Sequence, residues 1–448
     1  MTDQAQSAPV QEPWPPSTVA WYAVIVLALA NTLSLLDRTL LSFLLPAIRQ
    51  DFVISDTVAG ILVGPAFTII YCLMGLPIAR LADAKSRKLI VIAGVAFWSL
   101  MTFLTGAVRG ILSLSIFRMG VGIGQAALSP SAYSIMADYF PAKKLALPVG
   151  VFSIGVTAGI GLSFIGGAAV IQFFSSMGPM NLPFFGEISE WGRVFIFFGL
   201  LGVPVVLLCL FIKEPQRRGV AKSQAESVPF NEMWAYVSKH WKIFTYVFVG
   251  YGATSVSIYG IITFTSTFYS RSFGTGLAEA GYLIGLAVII GGPAGAFAGG
   301  YLSDWLEKRG DTNAKCRTLW IGCLGLIPPG VAAPLMPTAE LAAFFLGFSF
   351  FFGSICSGPT GSLIQAITPN RMRAQMGALY QLSLNLVGLG LGPPFVGWMT
   401  DTIFADPNKL NYSLIWAVVI FDTIAVVLTY MAFREFPKVK KNFDALQG

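Results

Sequence analysis

The chain is poor in charge: Asp, Glu, Lys and Arg make up 11% of its 448 residues, while 55% are hydrophobic and the mean hydropathy is +0.70. That leaves too little polar side chain to cover a water-soluble globule of this size. Histidine occurs once, as His240, which excludes zinc sites with several His ligands, Ser-His triads and Cys-His pairs within the apolar runs. The five cysteines, Cys72, Cys209, Cys316, Cys323 and Cys356, show no metal or redox spacing and read as small buried hydrophobes. Lys and Arg are absent before the first apolar run and no small-residue cleavage pattern follows it, so 1–18 reads as a disordered cytoplasmic tail rather than a signal peptide. Alternation of apolar and polar residues in blocks of about ten is missing too, which rules out a membrane barrel.

What fills the chain instead is a series of continuous apolar runs of about 20 residues, each enough to cross a hydrocarbon core of about 30 Å as a helix. Only helices or closed barrels satisfy their backbone in lipid, so an all-α membrane protein is expected. Twelve spans are expected, at 19–47, 57–82, 89–108, 111–140, 145–174 and 193–212, then at 241–269, 277–306, 318–336, 341–368, 374–402 and 412–433. They divide the chain into an N-terminal six-helix bundle (19–212), a polar cytoplasmic linker (213–240), a C-terminal six-helix bundle (241–436) and a basic cytoplasmic tail (437–448). The linker carries Pro215, Arg217, Arg218, Lys222 and Pro229.

Loop charge predicts the orientation, because Lys and Arg are held on the cytoplasmic side during insertion. Alternating assignment gathers Lys85, Arg87, Lys88, Lys143, Lys144, the linker, Lys308, Arg309, Lys315, Arg317, Arg371, Arg373 and the 438–441 cluster on one face. That face holds about 21 basic residues against about five opposite, which places both termini in the cytoplasm. The net charge of +7 follows from this asymmetry. Anionic lipid headgroups are therefore the expected partners of the basic face, and no nucleic acid is expected.

An internal repeat supports the two halves. The second span ends in Ala79-Arg80-Leu81-Ala82-Asp83 followed by Arg87 and Lys88, and the eighth in Gly300-Tyr301-Leu302-Ser303-Asp304 followed by Lys308 and Arg309. Pro141, Lys143 and Lys144 lead into a Gly-rich fifth span as Pro369, Arg371 and Arg373 lead into a Gly-rich eleventh. Parallel repeats of this kind place a cavity between two bundles. Glycines such as Gly155, Gly159, Gly390 and Gly392 serve close helix approach, since the strand and turn of a nucleotide site are missing.

The segment 75–88 resembles the cytoplasmic loop signature of the major facilitator superfamily, with Ala79, Ala84 and Ser86 standing where that signature has Gly, a basic residue and Gly. Arg118, Gly120, Gly122 and Gly124 resemble its fourth-helix motif, and Gly150, Gly155, Gly159, Gly166 and Gly167 its fifth-helix motif. Within the superfamily, Leu36-Asp37-Arg38-Thr39 with Pro46, the loop Arg80-Leu81-Ala82-Asp83 and Ala126-Ala127-Leu128-Ser129-Pro130 are most similar to the Spinster family, in particular its bacterial members. The resemblance implies the major facilitator fold and proton-coupled transport of a lipid-like amphiphile, of the lysophospholipid or sphingosine-phosphate type. It implies alternating access, no cofactor beyond the proton gradient, and no enzymatic activity; a monomer is expected. The chain departs from the Spinster pattern at Gln125, where the family has Glu.

Charges inside a membrane are costly and are mostly functional, which singles out Asp37, Arg38 and Arg118. Counting along the helices puts Asp37 about 25 Å from the cytoplasmic side and Arg118 about 10 Å from the other, nearly one depth. With Gln125 two turns beyond Arg118, these four form the expected proton-coupling site, against the plainer reading of a structural ion pair. Asp83, Arg87, Lys88 and Asp304 form the expected gating motif at the cytoplasmic surface. Phe67, Tyr71, Tyr133, Thr263, Gln381 and Asn385 are the candidate cavity residues for a small amphiphilic substrate, and each also suits helix packing. Asp422 is unusual in the twelfth span and has no evident partner. The rival readings are an organic-anion or sugar-acid symporter of the same superfamily and, behind it, a membrane-embedded sensor or enzyme.

Overall fold

Where a helix starts, four N–H groups lack intrahelical acceptors, and Ser or Thr at the cap supplies one. Ser55, Ser86, Ser189 and Thr338 do this at the starts of four spans, each side chain accepting from the backbone N–H three residues on. The computed structural model describes residues 14–141, 144–183, 185–217, 230–369 and 372–445. Lys143, Arg218, Lys222, Pro229, Arg371 and the segments 1–13 and 446–448 lie outside the described residues, as does the side chain of Asp83.

Twelve described helical stretches are long and apolar enough to cross a membrane, as expected: Ser17–Asp51, Asp56–Ala82, Arg87–Thr105, Ile111–Tyr139, Leu147–Ser175 and Glu190–Leu210, then Trp241–Phe273, Leu277–Lys308, Ala314–Leu335, Ala339–Ala366, Gln375–Phe404 and Pro407–Lys441. We number them spans 1 to 12. An even number of crossings puts both ends of the chain on one face, the termini face; the other is the distal face. Part of the linker is a short amphipathic helix, Phe230–Lys239, which buries Met233 and donates from the Tyr236 hydroxyl to the Ile367 carbonyl at the termini face of the second half. His240 follows it, and burial together with the charge of Lys239 lowers its pKa. One addition to the helical expectation is an antiparallel hairpin on the distal face, Met180–Leu182 with Gly186–Ile188, pinned by Arg109 donating to the Phe185 carbonyl (2.7 Å).

Several spans are broken where sequence chemistry demands it. Span 2 turns at Gly64 before Pro65, and span 4 breaks after Gln125, where Ala127 bonds tightly back to Gly124 and Pro130 lacks an N–H. Span 11 carries two π-helical segments, Leu384–Leu389 and Met399–Phe404, flanking Pro393 and Pro394. The two prolines withhold N–H groups and crowd the preceding carbonyls, so the ladder slips to a wider bond.

Glycine contacts reveal which ends of the halves touch. Near the distal face a Cβ on Gly60 of span 2 would lie 2.6 Å from the Pro393 carbonyl carbon of span 11, and one on Gly281 of span 8 would lie 2.8 Å from the Ala168 Cβ of span 5. Toward the termini face, Gly75, Gly150, Gly300 and Gly377 on the same four spans have open space where a Cβ would be. The halves are thus packed together distally and apart at the termini face.

Candidate functional site

Midway through span 1 the chain places two adjacent charges on different sides of the helix. Asp37 is 1% exposed and points into the first half, whereas Arg38 is partly exposed toward the seam between the halves. The Asp37 Oδ2 accepts from the Thr102 hydroxyl (3.3 Å), and its Oδ1 has no hydrogen-bond partner among the described residues. Arg118, also 1% exposed, lies beside Asp37 as the depth count predicts. Its guanidinium, however, donates to the backbone carbonyls of Asp37 and Arg38 (both 3.2 Å) rather than to the carboxylate. It thereby clamps the span 1 backbone at the point where the two charges emerge.

Arg38 is the meeting point of the expected coupling and cavity residues. Its guanidinium carbon sits 4.5 Å from the centre of the Phe67 ring and 5.0 Å from that of Tyr71, two rings stacked at 5.5 Å. One Nη donates to Gln125 Oε1 (3.3 Å), the other to Asn385 Oδ1 of the second half (3.4 Å), and Nε has no partner among the described residues. Gln125 donates in turn to the Ser34 carbonyl (2.9 Å). The helix break after Gln125 and the π segment at Asn385 aim these two amides at Arg38. Asp37, Arg38, Phe67, Tyr71, Arg118, Gln125 and Asn385 therefore form one cluster. Tyr133 is 41% exposed and packs edge-on against Phe152, Thr263 is buried within the second half with its hydroxyl unpartnered among the described residues, and Gln381 offers its backbone carbonyl to Asn385.

At the termini face the expected gating residues separate. Arg87 is buried and pairs with Asp138, with Glu214 (3.0 Å) and with Ser134 (2.9 Å), all in the first half or directly after it. Lys88 contributes its backbone N–H to Glu214 (2.8 Å), and Asp304 is exposed with no side-chain partner among the described residues. Burial would raise the Glu214 pKa, but hydrogen bonds from the Lys88 backbone, Ser86 and Arg87, with the Arg87 charge, hold it below the usual carboxylate range.

The distal face holds a cluster that the sequence reading did not single out. Asp56, fully buried at the start of span 2, pairs with Arg49 of span 1 and accepts two bonds from Arg271 of span 7 (2.9 and 3.0 Å). Asp401 of span 11 accepts from the backbone N–H groups of Asp56 (3.1 Å) and Thr57 (2.7 Å) and from the Thr57 hydroxyl (2.7 Å). A carboxylate from one half thus caps a helix of the other, where the helix dipole favours it. The available signal was charge of both signs at the distal ends of spans from both halves.

The model of the Major Facilitator Superfamily matches residues 27–393. An MFS-type efflux pump of Mycolicibacterium smegmatis is 30% identical over 93% of this chain and 93% of its own. A probable L-galactonate transporter of Escherichia coli is 22% identical, covering 85% of this chain and 83% of its own. The crystal structure of a bacterial homologue of the human lysosomal transporter Spinster, in an inward-facing and unoccupied conformation, superposes with a TM-score of 0.82 at 28% identity, covering 95% of this chain and 99% of that one. With twelve spans in two halves that meet distally and part at the termini face, the chain belongs to the major facilitator superfamily, as a Spinster-like secondary transporter.

Proposed function

We propose that the chain carries an amphiphile with an anionic head group, of the lysophospholipid or sphingosine-phosphate type, across an inner membrane by proton-coupled alternating access, with both termini in the cytoplasm. The observation that carries this reading is the charge tally at Arg38. Among the clustered groups Asp37 is one acid, Arg38 and Arg118 are two cations, and Gln125 and Asn385 are neutral. One positive charge lacks a counter-ion, on the one guanidinium of the two that is open to the seam. A phosphate or carboxylate head supplies it, seated against Arg38 and the two amides, while apolar walls of the second half suit an acyl chain.

Asp37 is the proton acceptor in this reading. Its carboxyl has a single hydrogen bond and lies beside an Arg118 that is engaged with the backbone. Protonation removes the charge that holds Arg118 there, so the clamp on span 1 loosens and the balance between the two open states shifts. The name of the mycobacterial relative supports export. A small organic anion is the second reading, because the same guanidinium with amide donors beside it suits a sugar acid.

The test is flux in proteoliposomes under an imposed pH gradient, with a fluorescent lysophospholipid and with galactonate. Gradient-dependent lysolipid flux that falls about tenfold or more in Arg38→Ala supports the proposal, about 1.4 kcal/mol of head-group binding being the threshold. Movement of galactonate alone replaces it with the second reading, and flux indifferent to Asp37→Asn removes the proton role.

A further inference from the structure

Among the described residues the buried charged side chains are Asp37, Asp56, Arg87, Arg118, Asp138 and Arg193 in the first half, and Asp422 alone in the second. Asp422 lies in span 12 with 0% exposure, and neither carboxyl oxygen receives a hydrogen bond from any described residue. The groups that face it are the Thr254 and Ser257 hydroxyls of span 7 and the Cys356 thiol of span 10, with Cys323 of span 9 bonded to Thr254 and beside Cys356, and Tyr251 and Tyr380 next to those thiols. No Lys, Arg or His is among them. An ionised carboxylate sealed in such surroundings without a cation carries a large solvation penalty.

The two hydroxyls identify what fills the gap. Ser257 Oγ donates to the Ala417 carbonyl (3.2 Å) and Thr254 Oγ1 donates to Cys323 Sγ (3.5 Å). In those bonds each hydroxyl gives its proton to another acceptor, so a further hydrogen bond between either of them and Asp422 needs a proton on the carboxyl. The thiols of Cys323 and Cys356, 3.9 Å apart, are poor ligands for a hard alkali cation. A proton fits these acceptors.

We propose that Asp422, with Ser257 and Thr254 as acceptors, is a second proton-binding site, in the C-terminal half, loaded in the conformation open at the termini face and unloaded as the distal face opens. Binding is the simple protonation of the carboxylate to the acid. Span 7 ties the site to the conformational change: Arg271 of the distal cluster lies on the same helix as Ser257, about 21 Å further along it. Opening the distal face releases Arg271 and moves the helix that supplies both acceptors. The site rests on observations separate from Arg38, but its role in coupling rests on the proton-coupled reading above.

Two measurements test it. Infrared spectra of the full chain in lipid are expected to contain a protonated-carboxyl C=O band at neutral pH that is lost in Asp422→Asn. The proton-to-substrate ratio, taken from flux reversal with whichever of the lysophospholipid and galactonate moves, is expected to fall by about one in that variant. An unchanged spectrum means an ionised carboxylate and overturns the proposal; so does an unchanged ratio, which makes Asp422 a fixed neutral acid. A ratio of zero in the wild type overturns proton coupling at both sites at once. Should Asp422→Asn not fold, Ser257→Ala decides: losing an acceptor is expected to shift the band and move the pH midpoint of transport downward, and no change in either overturns the proposal.

Discussion

Arg38 gathers more of the site than any other side chain, holding two rings, an amide of each half and the only partly exposed charge of the cluster. Beside it stands Gln125, the neutral amide at the break of span 4. Gln125→Glu would put a carboxylate oxygen where an amide oxygen now accepts from Arg38 at 3.3 Å. The expected outcome is an internal ion pair that competes with an anionic head group, raising KM about tenfold at neutral pH and restoring affinity under acid as the Glu protonates. Flux measured against substrate concentration at two pH values checks this; a KM that does not move removes the competition. Thr102 was not legible in the sequence, since an ordinary threonine in an apolar run becomes notable only when Asp37 is found to accept from it.

At the scale of the elements, the distal cluster is the closure that the broken and capped helices build. Span 11 reaches it through its second π segment, which carries Asp401, and span 2 through its capped start at Asp56. Asp56→Asn leaves Arg49 and Arg271 facing each other without their shared counter-ion, at a cost of about 3 kcal/mol, or a shift of about a hundredfold toward the distally open state. Spin labels at Val53 and Lys409, exposed on the distal loops of opposite halves, should report a longer distance in the variant. An unaltered distance distribution would strip the cluster of its latch role. At the other end, Arg87, Asp138 and Glu214 tie elements of one half together rather than half to half. Because the Glu214 pKa is depressed on folding, its contribution to stability is complete above the unfolded carboxylate range and is lost as pH falls through the lower folded value. Thermal unfolding of the purified protein across pH is expected to show an acid-side loss of stability that is shallower in Glu214→Gln.

For the whole molecule, the open side and the closed side follow from which glycines touch another helix. Gly150→Cys and Gly377→Cys face open space and should react with a membrane-impermeant thiol reagent applied from the cytoplasm, whereas Ala168→Cys, fully buried against span 8, should be protected. Labelling of the first two only from the opposite side would reverse the proposed orientation, and equal labelling of all three would contradict a distally closed molecule. Gly75 and Gly300, on the two repeated helices, are likewise clear of neighbouring atoms at the termini face.

The sequence alone determined the number of spans, the division into two halves and the presence of Asp37 and Arg118 at one depth within the first half, because hydropathy and charge are properties of each residue and lipid leaves the backbone only the helix. Tertiary structure alone decided the partners. Arg38 reaches Asn385 across 347 positions and Arg271 reaches Asp56 across 215. Such pairs depend on the relative depth and rotation of helices far apart in the chain, and on which of two open states the halves adopt, so no local pattern encodes them. Arg118 shows both sides of this: its depth beside Asp37 could be counted along the helix, but its choice of two backbone carbonyls over the carboxylate depends on the exact rotation of span 1 against span 4.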